Sequence, residues 1–174
     1  MKKVLIIVDM QNDFIDGSLG TKEAQAIVDN VVNKIKHWDG DIIVTRDTHD
    51  ENYLDTREGK YLPVKHCIKN TIGWQLNNKV FNALLHYNTG KLNIIDKPTF
   101  GTFLLKEYIY HGNYEYIEFC GLCTDICVVS NALIIKNAFS EREIVVDSNC
   151  CAGVTPESHN AALLTMKMCQ INII

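Results

Sequence analysis

The chain has 174 residues, 47% of them hydrophobic, which suits one compact domain with a full core. Its 17 basic and 21 acidic residues give a formal charge of -4 without any basic run, which argues against nucleic acid and against a membrane surface as partners. The seven cysteines are odd in number, and the leading apolar stretch, Val4 to Val8, is too short for a signal peptide or a membrane span, so a disulfide scaffold is disfavoured and a cytoplasmic protein with reduced thiols is expected.

Taken in order, the elements alternate between two kinds. Val4–Val8 reads as a strand buried on both faces, and Ala24, Ile27, Val28, Val31, Val32 and Ile35 then recur at helical spacing. Ile42–Val44 is the second strand. The stretch from Arg46 to Gly73 has no periodicity, contains Gly59 and Pro63, and is rich in Asp, His and Glu. A structureless loop of that length inside a compact domain is usually functional or disordered, and its composition favours function. Val80, Phe81, Leu84 and Leu85 predict a helix, Leu92–Ile95 a strand, and Phe103, Leu104 and Tyr108 a further helix. Tyr116–Phe119 is followed by a helical face of Val128, Val129, Ala132 and Leu133, then by the strand Ile144–Val146. Thr155-Pro156 announces the last helix with a cap and a proline at its first position. With no repeat or linker, residues 1–174 are expected to form one α/β domain. Its sheet should be doubly wound, mainly parallel and of five or six strands, with helices on both faces in a Rossmann-like three-layer arrangement.

Ligands of such sheets bind beyond the carboxyl ends of the strands. Asp9 closes the first run, Asp47 and His49 follow the second, Asp96-Lys97 ends the third, Cys120 to Cys127 follow the fourth, and Asp147 ends the fifth. Cys127 lies in a turn feeding a helix, where the dipole and free N–H groups favour a thiolate and can hold an oxyanion. A buried structural cysteine is the bland alternative. Asp9 and Lys97 would satisfy each other as a buried pair beside it. Asp47, His49 and His66, with Glu58 between them, offer a carboxylate and imidazole set suited to a divalent transition metal. Ordinary loop polarity is the alternative there. Cys120-x-x-Cys123 lacks the second cysteine pair of a thiolate zinc site, and Cys120 completes an apolar strand. His37, His86, His111 and His159 are expected at the surface.

The run Val8-Asp9-Met10-Gln11-Asn12-Asp13-Phe14, the segment Lys97-Pro98-Thr99-Phe100 and the segment Gly121 to Val128 resemble, in order and spacing, three signatures of isochorismatase-like cysteine hydrolases. The resemblance implies Asp9, Lys97 and Cys127 as catalytic residues and the backbone N–H groups of Cys123 and Cys127 as the oxyanion hole. It also implies a cis peptide at Leu122–Cys123. The Asp-x-His…His set is a mark of the nicotinamidases, which split nicotinamide into nicotinate and ammonia through a cysteine thioester. That likeness implies one metal, zinc, iron or manganese, on Asp47, His49, His66 and Glu58, with Phe14, Leu62 and Phe100 around the substrate ring. The sequence departs from the pattern in lacking a tryptophan before His66, in Cys123 for alanine, and in Phe100-Gly101 after the lysine segment. A small amide is the expected partner, in a homo-oligomer. Two other readings stay open: a metal-independent amidase acting on another small amide or an N-carbamoyl compound, and a noncatalytic or thiol-redox binding protein built on Cys120 and Cys123.

Overall fold

The computed structural model describes all 174 residues. In chain order the elements are β1 (Lys3–Val8), α1 (Asn12–Ile15), α2 (Lys22–His37), β2 (Asp41–Asp47), α3 (Arg57–Tyr61), α4 (Asn78–Leu85), β3 (Leu92–Lys97), α5 (Leu104–Gly112), β4 (Tyr116–Leu122), α6 (Val129–Ala138), β5 (Glu143–Ala152), α7 (Pro156–Met168) and β6 (Asn172–Ile173). A 3-10 turn at Tyr53–Asp55 precedes α3, and a π-helical turn at Thr124–Val128 links β4 to α6. The sheet has six strands in the order β3-β2-β1-β4-β5-β6, every pair parallel. Parallel neighbours need crossovers, and the helices supply them: α2 packs on α4, while α6 packs on both α5 and α7. This is the expected three-layer α/β architecture, with β6 as a sixth strand too short to stand out in the sequence. No helix is long and apolar enough to cross a membrane.

Burial explains why these segments take these forms. Val4 to Val8 are all 0% exposed, because β1 lies in mid-sheet with helices over both faces. Helix α2 begins where the Thr21 hydroxyl accepts a hydrogen bond from Ala24 N at 3.0 Å, and it buries Ala24, Ile27, Val28, Val31 and Ile35. The Thr155 cap of α7 is a reciprocal capping box with Ser158, followed by Pro156. One contiguous cluster of buried apolar side chains runs from Val4 to Ile171.

Several boundaries and faces depart from the sequence reading. The stretch after β2 is not structureless, since it carries the 3-10 turn and α3. In α4 the buried face is Val80, Ala83 and Leu84, leaving Phe81 and Leu85 exposed; in α5 it is Leu105 and Ile109, leaving Phe103, Leu104 and Tyr108 exposed. Strand β5 continues to Ala152, so Asp147 lies within it and not at its end. Phe119 pairs with Val146 but Gly121 pairs with Cys151, so β5 bulges through Asp147 to Cys150.

The order reverses at β1, whose neighbours β2 and β4 lead outward in opposite directions, and a crevice for ligands opens at such a switch point. Gly121 lets β4 approach β1 there. Its φ is +116°, and a Cβ would lie 2.1 Å from the Val8 carbonyl oxygen.

Candidate active site

Three strand ends meet at this crevice. Asp9 follows β1 in the left-handed region, φ 48°, a conformation uncommon for any residue but glycine and frequent at functional sites. Lys97 ends β3 in register with Asp47 and reaches across the end of β2. Its Nζ lies 2.6 Å from Asp9 Oδ2 and donates to Cys127 Sγ at 3.6 Å and to the Thr99 carbonyl at 3.1 Å. Cys127 sits in the π-helical turn, 5% exposed. Asp9, Lys97 and Cys127 are therefore brought together as the sequence predicts, and the Leu122–Cys123 peptide is cis. The sequence reading missed Thr45, a buried hydroxyl on β2 that donates to Asp9 Oδ1 at 2.6 Å.

The electrostatics describe a thiol at rest. Burial pushes the Cys127 thiol well above its ordinary value, and the Asp9 charge adds to this while Lys97 opposes it. Asp9 is itself raised by burial, against the pull of Lys97. Burial works against the charge on Lys97, but Asp9, Cys127 and Asp47 together carry its pKa above the usual lysine range. A fixed cation thus stands beside both a carboxylate able to accept a proton and a thiol able to give one.

Beside this triad, Asp47, His49, Glu58 and His66 present ligand atoms all within 4.8 Å of one another. The carbonyl of Val64, 2.8 Å from His66 Nδ1, can only accept, so Nδ1 carries the proton. His66 Nε2 is then free to face Asp47 Oδ2 at 3.5 Å and Glu58 Oε1 at 3.7 Å. His49 Nε2 is buried without a hydrogen-bond partner, although Asp47 Oδ2 is 2.9 Å away. An orphaned imidazole nitrogen aimed at two carboxylates is what a shared cation would resolve, so these residues fit a divalent metal. Burial alone would raise Asp47, but His49, His66 and Lys97 bring it below the ordinary aspartate range, so it is anionic as a ligand must be. Tyr53, fully buried and also unforeseen, packs its ring 4.7 Å from His49 and 4.9 Å from His66, and its hydroxyl donates to the Leu62 carbonyl at 3.0 Å.

A cavity of about 250 Å³ joins the two halves. Cys127 and Cys123 line it, as do Asp47, Glu58 and His66 from the metal set, with Phe14, Leu62 and Phe100 as apolar walls. Phe14 stacks obliquely on His66 at 5.5 Å. Larger, open grooves lie elsewhere, for example about 550 Å³ between α2 and α4, and hold no such convergence. Of the remaining cysteines, Cys120, Cys150 and Cys151 are buried free thiols in the core. Of the four histidines expected at the surface, His37, His86 and His111 are exposed, whereas His159 is half-buried with Nδ1 2.8 Å from the Thr124 hydroxyl.

A parallel α/β sheet carrying a cysteine, lysine and aspartate at its switch point defines a cysteine hydrolase. A family model for the isochorismatase domain matches residues 3–174, and the chain belongs to that family. It is 31% identical to the isochorismatase family protein PncA of Bacillus subtilis, with 94% of this chain and 93% of that protein covered. Among solved structures, the nicotinamidase/pyrazinamidase PncA of Bacillus subtilis is similar with a TM-score of 0.86 at 27% identity over 99% of both chains. The pyrazinamidase of Pyrococcus horikoshii in complex with zinc gives 0.78 at 27% identity, covering 100% of this chain and 99% of that one.

Proposed function

We propose that this chain hydrolyses nicotinamide to nicotinate and ammonia. The observation that carries the reading is the single cavity with the Cys127 thiol on one wall and a three-residue edge of the metal set on another. Its volume lies below that of pockets for drug-sized ligands, and its mostly apolar walls suit one flat ring. The similarity to proteins named for nicotinamide and pyrazinamide, both ring carboxamides, supports the same substrate class. Seven free thiols fit a reducing, cytoplasmic compartment.

Asp9 takes the proton of Cys127 as the thiolate forms its bond to the carboxamide carbon. Lys97, held at 2.6 Å from Asp9 and 3.6 Å from the sulfur, offsets the negative charge wherever it resides. The backbone N–H groups of Cys123 and Cys127 hold the tetrahedral oxyanion. Collapse expels the amine with the proton returned by Asp9, and water then cleaves the thioester with Asp9 as base. Asp47, His49, His66 and Glu58 would hold one divalent ion, zinc or alternatively iron or manganese, which would supply a Lewis acid for the lone pair of a ring nitrogen. Phe14, Leu62 and Phe100 orient the ring and exclude water.

The test is ammonia release from nicotinamide, pyrazinamide and an N-carbamoyl amide, with elemental analysis of the purified protein. Nicotinamide should be hydrolysed, Cys127→Ala should lose at least about 10³-fold in rate, and chelation should lower kcat/KM for pyridine amides about tenfold or more. Full activity on nicotinamide in metal-free protein would transfer the reading to a metal-independent amidase.

A further inference from the structure

The side chains of the three residues that follow Met10 bond to the segments around the metal-ligand candidates, and none of them bonds to Lys97 or Cys127. Gln11 is 0% exposed. Its side-chain oxygen accepts from Asp47 N at 2.7 Å, and its side-chain nitrogen donates to the carbonyls of Asp47 and Trp74, each at 2.8 Å. The Asp13 carboxylate accepts from Cys67 N at 2.7 Å, one residue beyond His66, while Asp13 N donates to the Gly73 carbonyl at 3.0 Å. Asn12 fastens the same loop, its side chain donating to the Ile72 carbonyl at 2.8 Å and its N–H to the Gln75 carbonyl at 2.9 Å. Gly73 leaves room for this arrangement, since a Cβ there would lie 2.1 Å from Asp13 Oδ2.

We propose that Gln11 and Asp13 are positioning residues that set the geometry of the metal site from the segment that follows β1 and carries Asp9. The proposal rests on the metal reading above. Gln11 grips the Asp47 backbone at both its N–H and its carbonyl, on either side of the α-carbon, which fixes where that carboxylate points. Asp13 grips the loop next to His66, where Cys67 holds φ 49° and its carbonyl accepts from His49 N at 3.0 Å, so the turn presenting the imidazole is tied at both the N–H and the carbonyl of Cys67. Neither side chain could be replaced by a space-filling apolar group. Gln11 satisfies one buried donor and two acceptors, a pattern only a carboxamide matches. The two residues face different ligands, so each can fail independently.

The experiment measures zinc affinity by competition with a chromogenic chelator, and in parallel the alkylation rate of Cys127 by iodoacetamide in metal-free protein. Gln11→Glu places a second oxygen against two carbonyls, and Asp13→Ala removes an acceptor from a half-exposed site that tolerates truncation. Each should weaken zinc about 10- to 100-fold, the range typical of groups that orient ligands. Cys127 alkylation should stay within about twofold, and Asp13→Asn, which keeps the acceptor oxygen, should restore zinc affinity. Unchanged zinc affinity in folded Asp13→Ala, or an equal loss of alkylation in both variants, would overturn the proposal. Wild-type protein that takes up no zinc, iron or manganese would instead overturn the metal reading on which it rests.

Discussion

The Thr45 hydroxyl, 2.6 Å from Asp9 Oδ1, donates to the carboxylate and so favours its charged form, partly offsetting the burial that raises its pKa. Replacing it with valine keeps the shape and removes the donor, so the Asp9 pKa rises further. Since the base must be ionised to accept the thiol proton, the acid limb of kcat/KM should move to higher pH in Thr45→Val. A lost hydrogen bond to a charged group costs about 1.5–3 kcal/mol, or at least about tenfold in rate on that limb. An acid limb at the wild-type pH would show that Thr45 only fills space. Asp9, Asp47, His49, Lys97 and Cys127 were legible because each is a reactive side chain closing or following an apolar run, and Glu58 and His66 because they stand in a long aperiodic stretch rich in acidic residues and histidine. Thr45 and Tyr53 were not, since a hydroxyl inside a buried strand and a tyrosine in a long loop carry no spacing signal. Gln11 and Asp13 stood in the quoted signature, but their bonds reach main-chain atoms more than 30 residues away, which no local pattern encodes.

Within the elements, β5 shows how a strand can end twice. The sequence Asp147-Ser148-Asn149 breaks the apolar run and reads as a terminus, yet it is a bulge, and the strand resumes at Cys150. There Asp147 accepts a salt bridge from Lys34 of α2 at 2.7 Å, and the same lysine pairs with the buried Glu118 of β4, whose other oxygen accepts from the Tyr116 hydroxyl at 2.8 Å. The cluster fastens α2 to the sheet away from the candidate site. Burial would raise the Asp147 pKa, but Lys34 brings it below the ordinary value. A depressed folded-state pKa contributes stability that is present above the unfolded value of 3.8 and lost as pH falls through the folded value. Asp147→Asn should therefore cost about 1.5–3 kcal/mol in urea unfolding at pH 7, with the difference from wild type narrowing below about pH 4. A constant difference across that window would rule out the ion pair as its source. The misread faces of α4 and α5 have a common cause. Both helices carry more large apolar residues than one face can bury, so periodicity alone could not say which side turns inward.

At the scale of the whole molecule, alternation of runs and helices was enough to define a parallel three-layer sheet, because parallel strands need crossovers and both faces must be covered. The strand order was not legible, because it is decided by which crossovers pack best. That order places Asp9 and Cys127 just beyond the ends of the adjacent strands β1 and β4 at the reversal, with Lys97 arriving over β2.

The ion pair of Asp9 and Lys97, both side chains 0% exposed, has a meaning for heat resistance as well as for chemistry. Two charges withdrawn from water are seldom recovered in full by their mutual attraction, so the catalytic edge should be a weak point against melting. Removing one partner strands the other: Lys97→Met alone should lower stability by about 3–5 kcal/mol. Removing both should not. Asn suits the left-handed backbone at position 9 and still accepts from Thr45, and Asp47 keeps its histidine neighbours, so the Asp9→Asn, Lys97→Met double variant should melt at or above the wild-type temperature while being inactive. Calorimetry of the three proteins decides it, and a double variant less stable than Lys97→Met alone would refute it. Evolution of a thermostable descendant then has little to gain at this edge without losing turnover, and its heat-adapting substitutions should accumulate on the far side of the sheet.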